Sequence, residues 1–171
     1  MVDENNQNTQ KNSTFKEIYA SILISLIAVV LLRTFVIGLA VVDGPSMENT
    51  IQSGDRIFYA KFVKPDRGDI VVVETKDNLK IIKRVIGLEG DTIEIKKGDL
   101  YVNNKLKKEN YIKEPMYDTD FKKIAVPKGQ IFVMGDNRNI SADSRKFGTF
   151  SLKTQYEGKV VLEIWNNFKF Y

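Results

Sequence analysis

The fold is decided by a short run in the middle of the chain, Leu79-Lys80-Ile81-Ile82-Lys83-Arg84-Val85-Ile86-Gly87. Side chains along a β-strand point to opposite faces in turn, so Ile81, Lys83 and Val85 share one face. The other face carries two isoleucines with one arginine between them. The run is therefore predicted to be a strand in which Lys83 lies between two branched aliphatic residues. Burial there disfavours the charged form of the lysine and lowers its pKa.

Short runs of the same kind continue along the chain. They are rich in Val and Ile, are bounded by Gly, Asp, Pro or Asn, and comprise Arg56–Ala60, Ile70–Thr75, Leu79–Ile86, Thr92–Ile95, Leu100–Val102, Lys123–Val126, Gln130–Met134 and Lys159–Trp165. Tight hairpin turns are predicted at residues 95–100 and 102–105. No run after residue 43 holds a 3.6-residue apolar period long enough to predict a helix. The predicted fold is mostly β, a compact barrel or coiled antiparallel β-sheet.

The N-terminal part of the chain is predicted to be a membrane anchor. Residues 1–16 are polar, do not bury enough apolar surface to fold, and are expected to form a disordered cytoplasmic tail. Residues 17–36 are predicted to be one transmembrane helix, and 37–171 to be the β-rich domain. Lys11 and Lys16 precede the span, which indicates a cytoplasmic N-terminus and an extracytoplasmic β-rich domain. The expectation is a single-pass protein of the cell membrane.

Two other interpretations of the apolar segment stay open. Gly38-Leu39-Ala40 has the small-x-small form of a cleavage site, so the segment could be a cleaved signal peptide. It could also be a buried core helix. The run Ile18–Leu32 is at the upper length limit for the apolar part of a signal peptide, and Arg33 intervenes before the cut. A retained anchor is therefore the favoured interpretation.

The amino-acid composition excludes several catalytic mechanisms and kinds of site. The 171 residues include no histidine and no cysteine, which excludes Ser-His-Asp and Cys-His mechanisms, disulfides and Cys-rich zinc sites. Any metal would need oxygen ligands alone, and no metal site or cofactor is predicted. The net charge of +4 comes without a basic stripe, so nucleic acid is not an expected partner. Acid–base chemistry falls to Lys, Asp, Glu or Tyr.

Three segments hold groups suited to nucleophilic chemistry. Gly44-Pro45 forces a turn and leaves the hydroxyl and backbone N–H of Ser46 exposed, as a nucleophile and an oxyanion donor require. A neutral Lys83 is the natural general base in a chain without histidine. The segment Met134–Gly148 has hydroxyls and carboxylates that can hold a lysine amine. Taken singly, the three are more simply a polar turn, a snorkelling lysine and a solvated loop.

Together, in order and spacing, these segments resemble the type I signal peptidases, membrane-bound Ser-Lys proteases that remove signal peptides from exported proteins. The matching blocks are Gly44-Pro45-Ser46-Met47 with Thr50, Ser53-Gly54-Asp55-Arg56, Lys83-Arg84-Val85-Ile86-Gly87 with Gly90-Asp91, and Gly135-Asp136-Asn137-Arg138 with Ser141-x-Asp143-Ser144-Arg145. The resemblance extends from the apolar segment to about Gly148. Four ordered blocks are specific enough to outweigh the simpler interpretations.

The resemblance implies a role for each matching residue. Ser46 corresponds to the nucleophile, whose backbone N–H also serves the oxyanion, and Lys83 corresponds to the general base. Ser141 corresponds to the hydroxyl that orients the lysine amine. The charged residues that correspond to supporting pairs are Asp143 with Arg145 and Asp136 with Arg84.

Two positions depart from the family pattern. Some members have a serine hydroxyl two residues before the nucleophile as a second oxyanion donor, and this chain has Gly44 there. Asn49 stands where proline is common. That substitution is expected to loosen the turn after the nucleophile.

The expected substrate is a preprotein signal peptide with an Ala-x-Ala site, bound by strand addition in shallow pockets that admit small side chains. The run Thr34–Val42 and the strand around Ile81–Lys83 are expected to supply the edges. The lipid bilayer is a second expected partner, and the translocation machinery is a third candidate. Two rivals stay open: a self-cleaving repressor-type Ser-Lys protease, and a non-catalytic, membrane-anchored β binding module.

Overall fold

The computed structural model describes residues 3–117, 119–165 and 167–171, with side chains described for 16–117, 119–163, 170 and 171. Within these residues the chain divides into two compact units, and the second begins at Gly38. The first unit is dominated by helix α1 (Asp3–Phe35), whereas the second is built almost entirely of β-strands.

Helix α1 contains the predicted membrane span. Its segment Lys16–Phe35 has a mean hydropathy of 2.2 over 20 residues, and its side chains are exposed. At 1.5 Å per residue this segment extends about 30 Å, the thickness of a bilayer core. The helix begins at Asp3, so it also includes residues 3–16, for which the composition predicts a disordered tail. Polar residues can extend an existing helix because elongation needs no new nucleus.

The strands form two antiparallel sheets. In the described residues they are β1 (Ile37–Val41), β2 (Arg56–Ala60), β3 (Ile70–Glu74), β4 (Lys80–Gly87), β5 (Thr92–Lys96), β6 (Asp99–Val102), β7 (Lys105–Leu106), β8 (Phe121–Ala125), β9 (Gln130–Met134), β10 (Phe150–Ser151), β11 (Tyr156–Trp165) and β12 (Asn167–Phe170). The larger sheet has the order β1-β2-β11-β3-β4-β9-β10, with β12 beside β11, and the smaller has the order β7-β6-β5-β8. The larger sheet curls into a half-barrel.

The predicted fold class is confirmed. Each predicted run overlaps one of these strands, and β2 and β9 have the predicted bounds. Both predicted hairpin turns are present, since two residues at positive φ separate the paired strands in each, Lys97-Gly98 and Asn103-Asn104. Strands β7, β10 and β12 and the one-turn helix α2 (Ser144–Phe147) were not predicted. They are two to four residues long, too short to show a period.

Strand β4 places the candidate base inside the domain. Ile81 and Val85 pack in one core cluster, whereas Ile82 and Ile86 pack in two others, so the predicted alternation of faces is confirmed. Strand β3 pairs with β4 from residue 80 to 84, but β9 pairs with it only from residue 84 onward. Lys83 therefore lies in a buried face, at the point where one edge of β4 becomes free.

Candidate active site

The turn that carries Ser46 follows strand β1. Gly44 has a φ of +88°, a left-handed conformation that glycine adopts without steric cost. Met47 and Ile51, 1% and 0% exposed, anchor the turn in the core, and Met47 O accepts hydrogen bonds from the backbone N–H groups of Thr50 and Ile51. Ser46 itself stays half-buried. Its hydroxyl therefore stands on a turn whose neighbouring residues are fixed by packing.

Lys83 lies beside Ser46. Its Nζ is 2.7 Å from Ser46 Oγ and 2.8 Å from Ile82 O, and the residue is 3% exposed. Burial lowers the pKa of Lys83 to about 8, although the negative charges of Asp143 and Asp136 act in the opposite direction. A neutral amine within hydrogen-bond distance of a hydroxyl can accept its proton.

Asp136 and Arg84 form a buried ion pair. Arg84 donates from Nε to Asp136 Oδ1 at 2.8 Å and from Nη2 to Oδ2 at 2.6 Å, and Asp136 is 0% exposed. Thr50 Oγ1 also donates to Asp136 Oδ2, at 2.5 Å. Because Arg84 follows Lys83 on β4 and Thr50 belongs to the turn of Ser46, this cluster joins the two segments that carry the reactive groups.

Asp143 and Arg145 also pair, at the start of helix α2. Asp143 Oδ1 accepts from Arg145 N at 3.2 Å and from Nε at 2.9 Å, and Oδ2 accepts from Nη2 at 2.8 Å. Gly135 N donates to Asp143 Oδ2 at 3.0 Å, and Arg145 Nη2 donates to Arg138 O at 2.7 Å. The pair therefore fixes the loop of residues 135–145, which follows β9.

Ser141 does not make the hydrogen bond that the resemblance implies. Its Oγ is buried and has no hydrogen-bond partner among the residues that the structure describes, whereas Lys83 Nζ contacts Ser46 Oγ and Ile82 O. Ser141 packs against Gly135, where an added Cβ would lie 2.3 Å from Ser141 Oγ and 2.5 Å from Ser46 O. The hydroxyl is thus close to the turn of Ser46 but does not contact the lysine amine.

The backbone N–H of Ser46 is the donor that the resemblance assigns to the oxyanion. In the described part of the chain no acceptor is hydrogen-bonded to Ser46 N–H, so this donor is available. Gly44 supplies no second donor from a side chain, and its N–H donates to Ser53 Oγ at 3.2 Å.

Asn137 is a site residue to which the sequence assigned no role. Its backbone N–H donates to Ser46 O at 3.0 Å, and its Nδ2 donates to Pro45 O at 3.2 Å. The residue is 2% exposed. A buried amide needs partners, and the place of Asn137 directly after Asp136 in a matching block was the available signal.

A cleft of about 300 Å³ opens at Ser46 and Lys83. Its lining includes Ala40–Val42, Leu79–Ile82 and Ala142. The first six residues of the run predicted to supply an edge, Thr34–Leu39, are outside this lining. Two strand segments with small or aliphatic side chains therefore border the reactive groups.

Comparison with known proteins agrees with this geometry. The family model described as signal peptidase, peptidase S26, matches residues 15–165. Signal peptidase I P of Bacillus subtilis subsp. natto is 43% identical over 159 residues, which cover 84% of this chain and 86% of that protein. Signal peptidase I S of Bacillus subtilis (strain 168) is 39% identical over 162 residues, covering 86% and 88%.

A solved structure supports the same assignment. The crystal structure of a signal peptidase I from Enterococcus faecalis V583 is 33% identical, has a TM-score of 0.50, and covers 57% of this chain and 97% of that chain. These matches favour a peptidase over the repressor-type protease and the non-catalytic module. The chain belongs to the signal peptidase I family, peptidase S26, whose function is the cleavage of signal peptides.

Proposed function

We propose that the chain cleaves signal peptides with Ser46 as nucleophile and Lys83 as general base. The observation that carries this proposal is the 2.7 Å separation of Lys83 Nζ and Ser46 Oγ at the end of an apolar cleft. The buried pairs described above support it, because they connect the turn of Ser46 with β4 and with the loop of residues 135–145.

The proposed reaction is acyl transfer through an ester on Ser46. Neutral Lys83 takes the hydroxyl proton while Oγ bonds to the scissile carbonyl carbon, and the oxyanion is stabilised by the Ser46 N–H. The ammonium of Lys83 then gives its proton to the leaving amine as the C–N bond breaks. A water molecule next loses a proton to Lys83 and attacks the ester carbon. As the bond from that carbon to Oγ breaks, Lys83 returns the proton to Oγ, which releases the signal peptide and restores both the serine hydroxyl and the neutral lysine.

The cleft supports recognition of an extended segment with small side chains. Residues 80–83 of β4 have β3 on one side and, among the described strands, none on the other, so a substrate strand can pair there. Alternate side chains of a strand point the same way, which turns the first and third residues before the cut toward the same wall. Aliphatic side chains along Ala40–Val42 and Leu79–Ile82 leave room there for small residues.

The specificity is tested with a precursor that carries an Ala-x-Ala site and a matched precursor with Phe at the residue before the cut. The first is expected to be cleaved after the second alanine. The second is expected to react at least about a hundredfold more slowly, because the proposed pocket admits only small side chains. Mass spectrometry of the products locates the cut. Equal rates for the two precursors would contradict the proposed pocket.

The proposed location is the cell membrane, with the segment Lys16–Phe35 across the bilayer and the β-rich unit outside the cytoplasm. Its length and hydropathy support a span, and Lys11 and Lys16 favour a cytoplasmic N-terminus. Protease added to spheroplasts is expected to digest the β-rich unit and to spare an epitope tag placed before residue 1. Digestion of the tag in intact spheroplasts would refute this orientation.

A further inference from the structure

A loop segment outside the family motifs contacts the nucleophile turn. We call residues 109–113, between β7 and β8, the strap. Asn49 Nδ2, in the turn of Ser46, donates to Tyr111 O at 3.0 Å. Lys113 Nζ forms an ion pair with Glu48 Oε2 at 2.5 Å. The strap therefore holds the turn just after the nucleophile.

The strap also holds the loop of residues 135–145. Lys113 N donates to Asp136 O at 3.0 Å. Both terminal nitrogens of Arg138 donate to the Glu109 carboxylate, with Nη2 at 2.7 Å from Oε1. The side chain of Arg138 is 0% exposed and that of Glu109 is 7% exposed. A bidentate pair of this kind fixes orientation as well as distance.

A third contact reaches β4. The Arg84 guanidinium carbon lies 4.2 Å from the centroid of the Tyr111 ring, and that of Arg138 lies 5.9 Å from it. Both are within the range of a cation–π interaction. Arg84 is the neighbour of Lys83, so the strap contacts all three segments that carry the proposed catalytic and supporting groups.

Asn49 is the residue of the turn that donates a side-chain hydrogen bond to the strap. Its φ is +87°, which proline, with φ near −65°, does not adopt. Asparagine tolerates the left-handed region better than most residues, and its amide contacts the strap. The turn, which the sequence was expected to loosen at this position, is therefore connected to the strap by a side-chain contact.

We propose that the strap positions Ser46 against Lys83, with Asn49 and Glu109 as positioning residues. The proposal rests on the acyl-transfer function above. Asn49 fixes the distance of the turn from the strap, and Glu109 fixes the strap on Arg138. Neither residue touches the reacting atoms.

The test compares Asn49→Gly with the unmodified full-length protein in detergent, on the Ala-x-Ala precursor. Glycine keeps the left-handed backbone and removes only the amide contacts. We expect kcat to fall about tenfold or more, since small displacements of reacting groups are costly in rate. KM should stay within about twofold, because the cleft residues are untouched. The matched control is Asn104→Gly, an exposed asparagine at φ +61° in the turn between β6 and β7, whose Oδ1 accepts from Lys123 Nζ at 2.6 Å. It also loses one side-chain contact, far from the strap in sequence, and should leave kcat unchanged and Tm nearly so.

A second variant separates positioning from folding. Asn49→Asp keeps the size and backbone preference of the residue but presents acceptors to the carbonyls of the strap, so kcat should fall at least as far as in Asn49→Gly. A normal kcat in both variants would overturn the proposal, as would a loss of activity that only follows a loss of Tm. If the unmodified protein fails to cleave the precursor, the proposed function fails instead, whatever the variants do.

Discussion

Replacement of Lys83 by alanine is expected to lower kcat about a thousandfold or more on the Ala-x-Ala precursor. The variant keeps the hydroxyl of Ser46 but removes the amine 2.7 Å from it, and a serine hydroxyl is a weak nucleophile without a base. Ser46→Ala should be equally inactive. Because the two groups act as a unit, the double variant should be no slower than either single one. Initial rates over a range of precursor concentrations give kcat for each protein.

The same lysine should set the pH dependence of cleavage. Below its pKa of about 8 Lys83 is an ammonium and cannot take the serine proton. The rate should therefore rise about tenfold per pH unit on the acid side and level off above pH 8. Lys123→Ala, which removes a lysine whose side chain is 46% exposed, should keep this profile. A Lys83→Arg variant that retained activity with the same acid limb would show that another group titrates there.

Much of the fold follows from local pattern. The alternation in residues 79–87 predicts β4 and the burial of Lys83, and turn-forming residues such as Asn103-Asn104, which tolerate a positive φ, predict hairpin turns. The pairing of β11 with both β2 and β3 depends on contacts between residues far apart in sequence, which no local period records. The two-residue strands β7 and β10 likewise form because longer neighbours offer them an edge.

The candidate site also has a part that the sequence predicts and a part that it does not. Ser46, Lys83 and the pair of Asp136 with Arg84 were expected from the sequence, and the structure brings them together. The hydrogen bond from Ser141 to the lysine was expected and is not made in the structure, where Lys83 Nζ contacts Ser46 Oγ and Ile82 O. The roles of Asn137 and of the strap depend on contacts between loops that are far apart in sequence. No local sequence pattern predicts those contacts.

Replacement of Asp136 by asparagine should have the largest effect on stability. It leaves the guanidinium of Arg84, whose side chain is 11% exposed, without its counter-charge. Breaking a buried ion pair in this way costs about 3 to 5 kcal/mol. Chemical denaturation should show this as a lower free energy of unfolding at an unchanged m-value. The control is Glu94→Gln, which removes pairs with two lysines, Lys96 and Lys123, whose side chains are 59% and 46% exposed, and should cost at most about 1 kcal/mol.

The pH profile of cleavage by folded Asp136→Asn protein gives a second readout. The negative charge of Asp136 raises the pKa of Lys83 against the larger effect of burial. Its removal should therefore lower that pKa and move the acid limb of kcat/KM to lower pH. An unchanged free energy of unfolding would show that Arg84 does not depend on this carboxylate. A limb that stays in place while stability falls would mean that the charge at position 136 does not affect the pKa of the lysine, which burial and the charge of Asp143 would then set.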